Sequence, residues 1–164
     1  MPIKMHRVDF RMIHGQVAGV WIPFYSASKV VIIDDQTSKD NFVQQVLKFA
    51  APKGTTVEFY NTENGVANYK KDQFGNGNTI VLFRSIEGAH KAFSIGYDFP
   101  SLNVGQTPRG EGMMHATASV FVTAQDMRDL VEMSDKGVEV YFRQDATKEQ
   151  YTIDQIKNKL SGKY

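Results

Sequence analysis

Short runs rich in β-branched and aromatic residues alternate along this chain with longer segments whose apolar positions recur at helical spacing. The runs are Lys4–Phe10, Lys29–Asp34, Thr55–Asn61, Asn78–Arg84, Ser101–Gly105, Thr117–Val122 and Gly137–Gln144. Such alternation predicts βαβ units and an α/β fold, an open and mostly parallel sheet of about seven strands with helices on both faces. Val30, Val31, Ile32 and Ile33 form an unbroken apolar run, the pattern of a strand covered on both sides. Between Ser38 and Ala50, the residues Phe42, Val43, Val46, Leu47 and Ala50 share one helical face, and Pro52 and Gly54 end the segment. This predicts an amphipathic crossover helix. Ser85 is placed to cap a helix running to Ile95. Thr123 and Asp126 fit a capping box whose acid is one methylene shorter than the usual Glu, with Met127, Leu130, Val131 and Met133 following before Gly137. Ile153, Ile156 and Leu160 space a C-terminal helix. Residues 106–114, with Pro108, Gly110 and Gly112, are the most loop-like part of the chain, and a polar loop on a rigid scaffold is a candidate for partner contact.

A length of 164 residues is that of one ordinary domain, expected to span residues 1–164. The 19 basic and 18 acidic residues leave a net charge of +1, so no strong field marks a nucleic-acid or polyanion binder. The chain has no cysteine, which excludes disulfides, thiolate zinc sites and a cysteine nucleophile, and suits a reducing cytosol. No apolar run is long enough for a membrane span, and the N-terminal residues do not read as a signal peptide. Any membrane role is therefore expected to come through a partner, and a homo-oligomer is left open.

The candidate chemistry lies in "RVDFRMIHGQV", residues 7–17. Ligands of open α/β sheets bind outside the carboxyl ends of the strands. A strand ending near Phe10 and a helix starting near Gly15 would leave the backbone amides of Gly15, Gln16 and Val17 as the unpaired donors of a first turn, a place that favours an anion. Gly15 permits close approach of a ligand, and Arg11 adds a planar fork suited to phosphate oxygens. A neutral imidazole at His14 is a nucleophile near neutral pH, and transfer of a phosphoryl group needs mainly positioning and charge stabilisation. Spacing alone leaves His14 open between a packed residue and a phosphohistidine.

Other residues add less. Asp34 and Asp35 end a strand at the same edge, but a lone acidic pair is read as a loop feature and no metal is expected. His6, His90 and His115 show no ligand spacing and are read as surface or strand histidines. "HGQVAG" is not a dinucleotide fingerprint. Arg84 is a candidate for phosphate or partner contact, Ser85 for an N-cap, and Trp21, Phe24 and Tyr25 for core packing.

The stretch "RVDFRMIHGQV" resembles the signature of the IIB subunits of the mannose/fructose/sorbose family of the bacterial phosphoenolpyruvate-dependent sugar phosphotransferase system (PTS). Arg7, Asp9, Arg11, His14, Gly15, Gln16 and Val17 fall in register with it. The resemblance continues through "VVIIDDQTSKD", "FAAPKGTTVEF", "IVLFRSIEGA", "LNVG" and "SVFVTAQDMRDLVEMSDKGVEV". It implies an antiparallel edge strand near the C-terminus and no cofactor. It implies that His14 takes a phosphoryl group on Nδ1 from a IIA phosphohistidine and passes it to a sugar carried by the membrane subunits IIC and IID, with Arg11 beside the phosphate. Asp9 would orient Arg11 or the loop. A cytoplasmic protein held at the membrane by IIC and IID follows. The chain departs from the family at Phe10, where a second Asp is common, and at Gln106, where a Gly is frequent; Phe10 removes a charge beside the site. The alternative is a regulatory or anion-binding module on the same scaffold, in which His14 is never modified.

Overall fold

A computed structural model describes residues 2–164, and the first residue of the expected 1–164 domain lies outside the described residues. Seven strands form one sheet in the order β3-β2-β4-β1-β5-β8-β9. They are β1 (Ile3–Asp9), β2 (Lys29–Ile33), β3 (Thr56–Tyr60), β4 (Thr79–Phe83), β5 (Ser101–Gln106), β8 (Glu139–Phe142) and β9 (Tyr151–Thr152). All neighbours pair in parallel except β8 with β9, so the antiparallel edge implied near the C-terminus is present. The helices are α1 (Ile22–Tyr25), α2 (Asn41–Ala50), α3 (Thr62–Asp72), α4 (Ile86–Ser94), α5 (Ala124–Asp135) and α6 (Ile153–Lys159).

Strand count agrees with expectation, but membership does not. The run Thr117–Val122 is broken between β6 (Met114–Thr117) and β7 (Val120–Val122), an antiparallel pair outside the main sheet. Its place is taken by the two-residue β9, too short to leave a periodic signal. Helix α3 has a thin apolar stripe, with Val66 and Gly65 buried, and it starts where the Asn61 side chain accepts from the Asn64 amide. Caps at the predicted positions form: Ser85 accepts from the Gly88 N–H, and Thr123 with Asp126 closes a capping box.

Both faces of the sheet are covered. Val30, Ile32, Ile80 and Leu82 pack under α1 and α2, while Val31, Ile33, Val81 and Phe83 pack under the other helices. This is the two-residue period of a strand buried on both sides. Of the five apolar residues predicted on one face of α2, Leu47 is buried and Val43 packs against the core, but Phe42, Val46 and Ala50 are exposed, as is Phe49 outside that face. The helix lies over the edge strand β3, where the sheet is too narrow to cover a wide apolar face.

The same period splits β1. His6 and Val8 face the larger core, whereas Met5, Arg7 and Asp9 face the side where Trp21 packs. His6 is a buried strand histidine whose Nε2 lies 3.0 Å from the Tyr97 hydroxyl. Burial pushes its pKa down to about 3, because desolvation disfavours the charged ring. The unfolded chain therefore takes up a proton near pH 6.5 that the folded chain refuses until near pH 3. Stability contributed by a neutral His6 falls as pH drops through that window, by about 1.4 kcal/mol per pH unit from this group. In urea titrations at pH 7 and pH 5, His6→Gln is expected to be the less stable protein at pH 7 and to close part of the gap at pH 5. A gap independent of pH would rule this account out.

Candidate active site

The helices that follow β1 and β5 leave the sheet in opposite directions and on opposite faces, so the carboxyl ends of these neighbouring strands flank a crevice, the usual ligand position in such folds. Asp9 closes β1 there. Its backbone carbonyl accepts from the Met12 N–H at 3.1 Å, making a tight turn, and its Oδ1 accepts from the Arg11 backbone N–H at 3.0 Å. Met12 has a left-handed backbone (φ 60°), a costly conformation for a residue with a side chain. That side chain is buried, with the Thr37 hydroxyl on its sulfur. The turn sends the chain back so that His14 Nε2 meets Asp9 Oδ2 at 2.7 Å.

The same Oδ2 accepts two bonds from Arg7, from Nε at 3.1 Å and Nη2 at 3.0 Å. Arg7 Nη1 donates to Asn103 Oδ1 and to the Arg143 carbonyl. Both members of the Arg7–Asp9 pair are fully buried. The guanidinium lies 5.8 Å from the centre of the Trp21 ring. A π-helical turn, Val17–Trp21, precedes α1, a distortion common at functional sites. A paired carboxylate can only accept, so the proton between Asp9 and His14 belongs to Nε2. In the neutral form of the ring, that leaves the lone pair on His14 Nδ1.

The helix after His14 begins where expected. The first amide to bond back is that of Ala18, onto the His14 carbonyl at 2.8 Å, which leaves the amides of Gly15, Gln16 and Val17 ahead of the ladder. A Cβ at Gly15 would meet nothing within 4 Å, so glycine there is not demanded by packing within this chain. Arg11 is exposed and its guanidinium makes no hydrogen bond among the described residues. Asp9 therefore holds the Arg11 backbone and the His14 ring, and not the Arg11 side chain. Gln16 and Gln106 each bury an amide oxygen with no hydrogen-bond partner.

Phe10, Asp34, Arg84, Ser85 and Pro108 line a neighbouring cleft of about 590 Å³ together with Lys91. Arg84 donates to Gln36 Oε1 at 2.9 Å and lies 3.7 Å from Asp34. Asp34 itself caps the turn at Thr37. Asp35 accepts from the Thr62 amide and hydroxyl and from Lys91 Nζ at 2.6 Å. The Lys91 bond, then the Thr62 amide, hold its carboxyl down at about 2. The stabilising effect is present above the ordinary carboxylate range and is lost as pH falls toward 2, though both side chains are half exposed and screened. Lys91→Met is expected to move the Asp35 midpoint upward toward that range in an NMR titration; an unchanged midpoint would give the whole effect to Thr62.

The remaining histidines lie away from the site. His90 pairs with Glu132 between α4 and α5, and His115 stacks on Phe121 in the separate hairpin. Of the aromatic trio, Trp21 is core, but Phe24 is exposed. No group of three or more potential metal ligands occurs among the described residues. Asn103, Arg143 and Gly105 were not legible as site residues, because their link to His14 runs from β5 and from the end of β8, far away in the chain. Arg7 and Asp9 did carry a signal, as two charges on one face of an apolar strand.

Residues 3–163 match the family model described as PTS system sorbose subfamily IIB component. The chain belongs to that family. This IIB chain is 29% identical to the sorbose-specific EIIB component of Klebsiella pneumoniae over 87% of each protein. It is 25% identical to the fructose-specific EIIB component of Bacillus subtilis over 88% of each. It also matches the mannose-specific EIIAB component of Escherichia coli K12, at 24% identity over 90% of this chain and 46% of that one. Among solved structures, the IIBSor domain of the Klebsiella pneumoniae sorbose permease superposes with a TM-score of 0.89 at 28% identity, covering 99% of both chains. No helix of the described residues is long and apolar enough to cross a membrane.

Proposed function

We propose that this IIB chain is a phosphocarrier, working as one domain, which takes a phosphoryl group from a IIA phosphohistidine onto His14 Nδ1 and gives it to a sugar at IIC and IID. The observation that carries the reading is the 2.7 Å contact between His14 Nε2 and Asp9. It holds the ring by one nitrogen and leaves the other as the nucleophile. The Nδ1 lone pair forms the new N–P bond while the P–N bond to the IIA ring breaks and returns its electron pair to that ring. His14 releases no proton. Positive charge that develops on its ring is offset by Asp9, and Arg11 with the amides of Gly15, Gln16 and Val17 holds the phosphoryl oxygens.

The EIIAB name of one relative joins IIA and IIB, which supports a IIA partner. Names of other relatives support a hexose or N-acetylhexosamine as the final acceptor. The reading makes the protein a protein-phosphohistidine–sugar phosphotransferase component, cytoplasmic and held at the membrane by IIC and IID. Its contacts with IIA and with the membrane subunits are transient and modest in area. The test is incubation with phosphoenolpyruvate, the two general phosphotransferase proteins and a cognate IIA, followed by intact mass. An acid-labile, base-stable phosphoryl adduct is expected. An unmodified chain beside an active IIA would leave only the anion-binding module.

A further inference from the structure

We propose that Arg7, which never touches the phosphoryl group, is the positioning residue that keeps His14 in its reactive form, by making Asp9 an acceptor without letting it act as a base. The inference rests on the phosphocarrier reading for its consequence, but not for its geometry. Asp9 Oδ2 receives three donors, two from Arg7 and one from His14. Asp9 and Arg7 have no exposed side-chain surface, and the side chain of His14 is only 7% exposed. The Arg7–Asp9 pair is neutral as a whole, so the imidazole meets a carboxylate whose charge is already balanced.

Remove the guanidinium and only two arrangements relieve the stranded charge. In one, His14 becomes imidazolium and pairs with Asp9. In the other, Asp9 is protonated and donates to Nε2, which moves the ring proton to Nδ1. Both consume the Nδ1 lone pair, and phosphoryl transfer stops for want of a nucleophile.

The remaining surroundings do not supply a replacement cation. Arg143 is committed to the Lys148 and Ala146 carbonyls, and Arg11 reaches Asp9 through its backbone alone. Asp145 and Tyr141 face Arg7 from the β8 side. Burial pushes the Tyr141 hydroxyl up to about 12, so it stays neutral. Arg7 is itself locked by Asn103, by the Arg143 carbonyl and by the Trp21 ring. Guanidinium suits such a place because it stays charged when buried and its fork spans several acceptors.

The experiment is ¹⁵N NMR of histidine-labelled, unphosphorylated protein at neutral pH, with His14 assigned by its absence from His14→Gln. Wild type is expected to show a bare Nδ1 and a protonated Nε2. Arg7→Met is expected to show a protonated Nδ1 and an initial phosphorylation rate lower by about a hundredfold or more, with the acid limb of its pH profile moved upward. Arg7→Lys keeps the charge and loses the fork; it is expected to keep the wild-type ring form and recover a large part of the rate. A folded Arg7→Met with a bare Nδ1 overturns the proposal. Where Arg7→Met fails to fold, Arg7→Lys decides: a bare Nδ1 supports it and a protonated Nδ1 overturns it. Because the ring form is read without any IIA, failure here is distinct from failure of the relay, which would be a wild type with bare Nδ1 that takes no phosphoryl group.

Discussion

His14→Ala is expected to lose phosphoryl acceptance entirely while remaining folded. The ring is the one nucleophile at the carboxyl end of β1, and no cysteine exists anywhere in the chain to replace it. Removing it strips one of three donors from Asp9 Oδ2, but the two Arg7 bonds and the Arg11 amide remain. The cost is therefore that of one hydrogen bond to a charged group, about 1–3 kcal/mol, and not that of a stranded buried charge. Intact mass after incubation with phosphoenolpyruvate and the partner proteins checks the first statement, and circular dichroism the second. Were the alanine variant labelled as readily as wild type, His14 would not be the acceptor and the phosphocarrier reading would be lost with it.

Gly105→Ala is expected to damage both stability and phosphorylation, although this residue lies on β5 and has no chemistry of its own. A Cβ there would overlap the guanidinium carbon and both terminal nitrogens of Arg7. Its backbone is not in the left-handed region, so the constraint is space and not φ. The register between β1 and β5 shifts at this point, with Val8 opposite Val104 and Asp9 opposite Gln106, so Gly105 is the extra residue of a bulge. The bulge makes the room that the arginine occupies. Arg7 has no exposed side-chain surface and is held on its other side by Asn103 and the Arg143 carbonyl, so the methyl is expected to break contacts to Asp9 or Asn103. Breaking a buried pair costs about 3–5 kcal/mol, which for a chain of this size lowers Tm by roughly 10 °C. Phosphorylation per folded molecule should fall as well, because Asp9 no longer holds the ring of His14. Wild-type melting and wild-type transfer rates in this variant would show that the guanidinium has slack the packing does not reveal.

Much of the architecture was legible because parallel strands buried on both faces leave unbroken apolar runs, and those are hard to mistake. Lys29–Ile33 and Thr79–Phe83 appear where the pattern placed them. Helix starts marked by Ser85 and Thr123 were legible for a local reason, since each side chain bonds an amide three residues on; the capping box at Thr152 emerged only in the structure. Elements without such a signal were missed: α3 buries too few apolar residues, and β9 is only two residues long. In α2 the pattern overreached, because apolar spacing defines a face but not whether a neighbour covers it.

The site divides in the same way. By itself the sequence determined that a histidine, an arginine and three free amides would meet at one strand-to-helix turn, since residues so near in the chain cannot be far apart in space. It could not determine what holds the histidine. That was decided by tertiary structure, which seats Asp9 beneath His14, locks Arg7 between Asn103, the Arg143 carbonyl and Trp21, and clears space for it with Gly105 on another strand. The physical reason is burial. A carboxylate and a guanidinium in solution carry no message about each other, but enclosed together in the sheet they must satisfy the donors and acceptors between them, and here they do so with Asp9 Oδ2 turned to His14 Nε2.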